Sequence, residues 1–159
     1  MSAEPGAQTL TIARVDPRQA PGPTLVAELD RHLLNLYPAE SQHLLGLEPL
    51  AAGNARFLVA SVGAEPQGCG AVKLLEPGVA ELKRLYVRAG SRGRGVGGEL
   101  LAALEVEARA LGAQLLRLET GVHQPEALRL YEAHGYRRRG PFGDYTADPL
   151  CRYYEKTLS

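Results

Sequence analysis

AELKRLYVRAGSRGRGVGGELLAALEVEARAL, residues Ala80–Leu111, contains a short strand, a turn crowded with glycine and arginine, and a helix. The strand's apolar positions are Leu82, Leu85 and Val87. A strand alternates with period two, so the step of three from Leu82 to Leu85 predicts one extra residue near Lys83-Arg84, a β-bulge that bends the strand and unpairs its backbone. The turn leads into a helix whose Val96, Leu100, Leu104, Ala108 and Leu111 fall on one face, with Gly112 as its stop. A glycine turn at a helix start collects unpartnered N–H groups at the positive end of the helix dipole, so it attracts an anion. Arg92 and Arg94 add fixed charge and planar donors suited to phosphate. This turn is therefore predicted to hold a phosphate or pyrophosphate.

Upstream, Gln8–Val15 alternates as a half-buried first strand, and Asp16–Pro23 is a proline-rich loop. Thr24 is placed to cap a helix reaching Leu36, with Leu25, Val26, Leu29 and Leu33 at helical spacing, ended by Tyr37-Pro38. A second short helix is expected at Glu40–Leu47. Arg56–Val62 and Gly68–Leu75 read as an antiparallel hairpin across GAEPQG, and Glu76-Pro77-Gly78 turns into the strand Ala80–Val87, so three strands form a meander. Downstream, Gln114–Thr120 is a strand, which makes a parallel crossover with the one before the glycine turn. Gln124-Pro125 opens a helix that Gly135 ends, followed by a strand at Tyr136–Arg139, a loop at Gly140–Pro149 and a last strand at Cys151–Leu158. The expected architecture is α/β of the α+β kind: one mixed sheet, mostly antiparallel, with helices on both faces.

The chain has 159 residues, enough for a single domain with a real core, and residues 1–159 are read as one. Its 18 basic and 18 acidic residues cancel, which argues against a general nucleic-acid binder. No apolar run approaches the roughly 18 residues of a membrane span, and the opening MSAEPGAQ lacks the positive n-region of a signal peptide. Cys69 and Cys151 have no CxxC spacing and suit buried thiols in a reducing cytoplasm. His32, His43, His123 and His134 show no ligand spacing, so no metal is expected.

Gly93, Gly95 and Gly98 also satisfy GxGxxG, with Glu119 about twenty residues on, which imitates a dinucleotide fingerprint. Three features oppose it. The preceding strand carries Glu81, Lys83 and Arg84, where a central parallel strand would be apolar. Five residues separate Val87 from Gly93, where the fingerprint puts its glycines directly after the strand. The chain is also short for an added substrate domain. A turn that merely caps its helix is the remaining plain reading.

The same residues read as Arg-x-x-Gly-x-Gly at Arg92, Gly95 and Gly97. With ELKRLYV before them, then LETG and ALRLYEAHGY, the chain from about Arg56 to Leu158 resembles the Gcn5-related N-acetyltransferase (GNAT) superfamily. Pro38–Leu50 (PAESQHLLGLEPL) and GPFGDY…DP (Gly140–Tyr145, Asp148-Pro149) look like its YsnE-like bacterial branch, although that branch reads closer to EIKSM where this chain has ELKRLYV.

The resemblance implies a central parallel strand pair splayed by the bulge, and acetyl-CoA as co-substrate. It implies a pyrophosphate wrapped by Arg92, Gly93, Arg94, Gly95, Val96, Gly97 and Gly98. The pantetheine arm would lie along Leu85, Tyr86 and Val87, with Gln124, Ala127 and Tyr131 beside it. His123-Gln124 stands where the family often has Asn, so that one contact departs from the pattern. An amine near pKa 10 must lose a proton before it attacks the thioester. Glu81 matches the family position for the base, its plain reading being an exposed strand charge, and Glu119 is the second candidate. Tyr131 matches the tyrosine that protonates the leaving thiolate, although its spacing also suits a core aromatic. The acceptor, a small-molecule amine or a protein amino group, would be bordered by Tyr37, Glu40, Ser41 and His43 on one side and by Phe142, Asp144 and Tyr145 on the other. Family members are often homodimers. A catalytically silent acyl-CoA sensor is the competing functional class.

Overall fold

In chain order the elements are β1 (Leu10–Arg14), α1 (Gly22–Leu36), α2 (Leu47–Leu50), β2 (Ala55–Val62), β3 (Glu65–Glu76), β4 (Val79–Val87), α3 (Val96–Ala110), β5 (Leu115–Gly121), α4 (Pro125–Ala133), β6 (Arg137–Arg139) and β7 (Cys151–Thr157). The structure is a computed structural model and describes residues 9–38 and 46–159. The strands form one sheet in the order β1-β2-β3-β4-β5-β7-β6. Only β4 and β5 run parallel, joined through α3; every other neighbouring pair is antiparallel.

The continuous apolar run in β2 follows from burial on both faces. Leu58 and Ala60 pack on the α3 side with Leu100, Leu101 and Leu104, while Phe57 and Val59 pack on the other side with Leu25 and Val26 of α1. The α3 stripe buries Val96, Leu100, Leu104 and Ala108 as the spacing predicts, and Leu101 joins it. Glu105 lies on the same side and is buried; it accepts hydrogen bonds from Tyr136 Oη (2.8 Å) and Lys156 Nζ (3.0 Å), so a carboxylate in the core is fully partnered.

The expected bulge is present. Ala71 pairs with Lys83 and Cys69 with Tyr86, so three steps on β4 oppose two on β3. Arg84 takes the extra position at φ 61°, a left-handed conformation that a side chain rarely adopts. Ala80 and Leu82 before it, and Leu85 and Val87 after it, all pack toward α3, whereas Tyr86 packs with the α1 cluster. Two contacts hold the bulge. The Arg84 guanidinium pairs with Asp30 of α1, and the buried Cys69 thiol donates to the Arg84 carbonyl (3.5 Å). Burial pushes the Cys69 thiol up to about 12, so it stays protonated and able to donate.

Two expectations need correction, and a third lies largely outside the described residues. The first helix begins at Gly22 behind Pro21, not at Thr24, because proline in the first turn gives up an N–H that has no partner there anyway. The second expected helix, Glu40–Leu47, falls largely outside the described residues; a single turn forms at Leu47–Leu50. The link between β2 and β3 tightens to Gly63-Ala64, with Val62 paired to Glu65 and Gln67 absorbed as a bulge beside Pro66, so β3 starts earlier than its apolar run suggests. No described helix is long and apolar enough to cross a membrane.

Candidate active site

The parallel ladder between β4 and β5 runs from Val79↔Leu115 to Leu82↔Leu118 and ends there. The bulge then turns β4 away, while β5 continues against β7 to Gly121↔Cys151. Between the diverging strands lies one cleft in two parts. The larger, about 550 Å³, is lined by Leu85, Tyr86 and Val87, the glycine turn, and the start of α4. The smaller, about 100 Å³, lies toward α1 and is lined by Tyr37, Glu81, Lys83, Glu119, Tyr145 and Cys151, among others. Leu29, Leu85, Gln124, Ala127 and Tyr131 line both parts.

The glycine turn is shaped for close approach by a ligand. Gly93 and Gly95 have φ of 78° and 79°, and Gly95 is the N-cap of α3 with no side chain to satisfy the first-turn N–H groups. Arg92, Gly93, Gly95, Val96, Gly97 and Gly98 line the larger part; Arg94 is exposed and lines neither. Arg92 Nε donates to the Val87 carbonyl (3.1 Å), which ties the turn to the end of β4, and lies 4.0 Å from Glu126. The turn is also braced from behind. Arg88 donates twice to Glu28 of α1 (2.9 and 2.7 Å), Tyr86 Oη donates to the same carboxylate (3.1 Å), and Ser91 is hydrogen-bonded to Gln67. The Arg88 hydrogen bonds hold the Glu28 carboxyl below the usual range despite partial burial.

Tyr131 packs as a core aromatic and also faces the cleft. Its ring packs against Tyr136 (5.8 Å, edge-on) and Tyr154 (6.2 Å), and only 6% of the residue is exposed. Yet it walls both parts of the cleft, and its hydroxyl has no hydrogen-bond partner among the described residues. Burial, and then the charge of Glu119, push that hydroxyl well above the usual tyrosine value, so it keeps its proton at neutral pH.

Glu81 is buried rather than an exposed strand charge. Its Oε2 accepts from Tyr145 Oη (2.5 Å) and Lys83 Nζ (3.1 Å), and Lys83 Nζ also donates to Tyr145 Oη (3.1 Å). Glu119 is half-buried beside Cys151, whose thiol is pushed up first by burial and then by its hydrogen bond to Glu119.

Tyr37 is buried and reaches the smaller part, but its hydroxyl is engaged: it accepts the His123 N–H (2.9 Å) and lies 3.5 Å from Gln124 Oε1, while its ring stacks on His123 at 5.3 Å. Phe142 lines neither part; it packs under Tyr145 (5.1 Å) and Tyr153 (6.1 Å). Asp144 is exposed and outside the cleft. Glu40, Ser41 and His43 lie outside the described residues. Lys83 joins the site although the sequence expectation assigns it only to the bulge; its period-two step from Glu81 places both on one face. Among the described residues no group of three or more His, Cys, Asp or Glu is arranged to hold a metal.

Residues 23–136 match the Acetyltransferase (GNAT) family. The chain belongs to that family. It is 48% identical to the IAA acetyltransferase of Azospirillum brasilense, over 94% of this chain and 98% of the relative. It is 35% identical to the N-acetyltransferase YsnE of Bacillus subtilis, over 86% and 94%. A solved structure from Klebsiella pneumoniae described as an acyl-CoA N-acyltransferase superposes with a TM-score of 0.80 at 38% identity, over 94% of this chain and 98% of that one. GNAT membership explains why GxGxxG here is not a dinucleotide fingerprint: the strand before it pairs antiparallel with β3 and carries a buried Glu81, unlike the apolar parallel strand of a dinucleotide fold.

Proposed function

We propose that this GNAT acetyltransferase moves an acetyl group from acetyl-CoA to an amine of a small molecule or a protein. The observation that carries the reading is the single cleft joining an uncapped helix N-terminus at one end to Tyr131, Glu81 and Glu119 at the other. The residues present suit the co-substrate. Two left-handed glycines let a pyrophosphate approach the first-turn N–H groups of α3, and the β5-facing edge of Leu85–Val87 has no strand partner among the described residues. The name of the Klebsiella neighbour, an acyl-CoA enzyme, supports the same class of carrier.

Acetyl-CoA supplies the acetyl group as a thioester. On this reading the main chain of Gly93–Gly98 holds the phosphates and Arg92 adds charge at the rim. Glu81 is the final acceptor of the amine proton, with Glu119 as the second carboxylate facing the same space. Tyr131, which stays protonated at neutral pH, gives its hydroxyl proton to the leaving sulfur. Tyr37 and Tyr145 border the acceptor.

The test is release of free CoA, read with a thiol reagent, over a panel of amines and amino-terminal peptides. Release with a subset of amines supports the reading. Thermal stabilisation by acetyl-CoA with no release across the panel would instead favour a silent acyl-CoA sensor.

A further inference from the structure

We propose that Tyr145 is a catalytic residue: its hydroxyl relays the acceptor's proton to Glu81. The inference rests on the amine acetylation proposed above and adds the route by which the amine is deprotonated.

The route follows from what covers Glu81. This carboxylate is 5% exposed, and its Oε2 is occupied by Tyr145 Oη and Lys83 Nζ. Tyr145 comes from the loop between β6 and β7, is half-buried, and lines the smaller part of the cleft beside Glu119 and Tyr131. A phenol donates one hydrogen bond and can accept on both lone pairs of its oxygen. Lys83 displays the accepting geometry, since its alkylammonium donates to Tyr145 Oη at 3.1 Å while that hydroxyl donates to Glu81 at 2.5 Å. An incoming ammonium meets the same oxygen.

The surrounding groups narrow the choice of final proton acceptor. Arg84 is neutralised by Asp30. Burial raises the Tyr37, Tyr131, Tyr153 and Cys151 protons, so those groups stay neutral and cannot serve as bases. The carboxylates Glu81 and Glu119 remain, with Lys83 as the cation between Glu81 and Tyr145. Burial and the Glu81 charge likewise oppose ionisation of Tyr145. A relay suits such a group, because it takes one proton as it gives up another and never carries charge at rest.

The protons balance. An N–H bond of the acceptor ammonium breaks and its proton bonds to Tyr145 Oη, while the proton already on Oη moves to Glu81 Oε2. The freed lone pair forms the N–C bond to the acetyl carbon and the C–S bond breaks. Of the two protons the nitrogen loses, one ends on Glu81 and then in solvent, and the other ends on sulfur by way of Tyr131. Tyr145 is regenerated. Lys83 is a positioning residue that holds the hydroxyl against the carboxylate.

Tyr145→Phe tests this, because it keeps the ring that packs on Phe142 and Tyr153 and removes only the hydroxyl. With an alkylamine of pKa near 10, kcat/KM at about pH 7 should fall about 10²-fold. The deficit should shrink as pH rises toward the amine's own pKa, and should vanish for an aromatic amine already neutral at about pH 7. Stabilisation by acetyl-CoA should match wild type, while thermal stability should fall because the buried Glu81 carboxylate loses one donor. A pH-independent deficit shared by both amines, or no deficit, overturns the relay and leaves the acetyltransferase reading standing. No CoA release by wild type with any amine overturns both.

Discussion

Gly121→Ala should destabilise the protein through one side chain far away in sequence. A Cβ at position 121 would lie 1.9 Å from Oη, 2.1 Å from Cζ and 2.8 Å from Cε1 of Tyr37. The methyl cannot move, because Gly121 ends β5 in register with Cys151. Tyr37 must therefore leave a site where it is 8% exposed, stacked on His123 and bonded to the His123 N–H. Losing the ring's burial costs about 1.5–3 kcal/mol. Orphaning the N–H adds about 1 kcal/mol. Alanine recovers about 0.4–1 kcal/mol by restricting the unfolded chain. The net loss is about 1.5–3.5 kcal/mol, which for a chain of this size lowers Tm by about 3–14 °C. Urea denaturation of wild type, Gly121→Ala, Tyr37→Ala and the double variant closes a cycle. In the Tyr37→Ala background the alanine should cost nothing or stabilise slightly. Wild-type stability for Gly121→Ala, or an equal loss in both backgrounds, refutes the argument.

Tyr131→Phe should lower turnover about 10²-fold while acetyl-CoA still stabilises the protein as in wild type; an unchanged rate returns Tyr131 to packing alone. Arg92→Ala should weaken acetyl-CoA by about 1 kcal/mol, less than a buried charge contact because the side chain is 38% exposed, whereas Arg94→Ala, outside the cleft, should leave the titrated affinity unchanged. Equal affinities for the two variants would sink the assignment of Arg92 to the phosphates. Glu155→Gln should flatten the acid limb of stability. Arg117, and then Arg139, hold the Glu155 carboxyl below the usual range, so its stabilisation is complete above about pH 5 and is lost as pH falls through the lowered value. The Tm gap between wild type and variant should be small at about pH 7 and close toward pH 3; a gap that persists in acid contradicts the linkage.

Features with a local signature were legible in the sequence. The bulge showed because a strand has period two and a single extra residue breaks it visibly between Leu82 and Leu85. The glycine turn showed because glycine and a following apolar stripe mark a helix start. What stayed hidden depends on long-range contact. Tyr37 lines the smaller part of the cleft with its hydroxyl held by a backbone N–H 86 residues away, which no spacing records. Arg94 suits a phosphate by residue type, yet between two left-handed glycines it is exposed and lines neither part of the cleft. Lys83 lacked an obvious role because Glu81 only acquires its partners when the loop carrying Tyr145 folds back over β4. Glu105 was unremarkable as a helix glutamate until Tyr136 and Lys156 closed on it.

The residue inserted at Arg84 has a further consequence for how such a protein can change. It makes β4 two half-strands of opposite phase joined end to end. The upstream half, with Glu81 and Lys83, borders the smaller part of the cleft; the downstream half, Leu85–Val87, borders the larger, with Leu85 reaching both. Because the phase break separates them, substitutions on one half leave the facing of the other untouched. Deletion of Arg84 would turn Leu85 and Val87 over to the α1 face and so reshape both parts of the cleft at once.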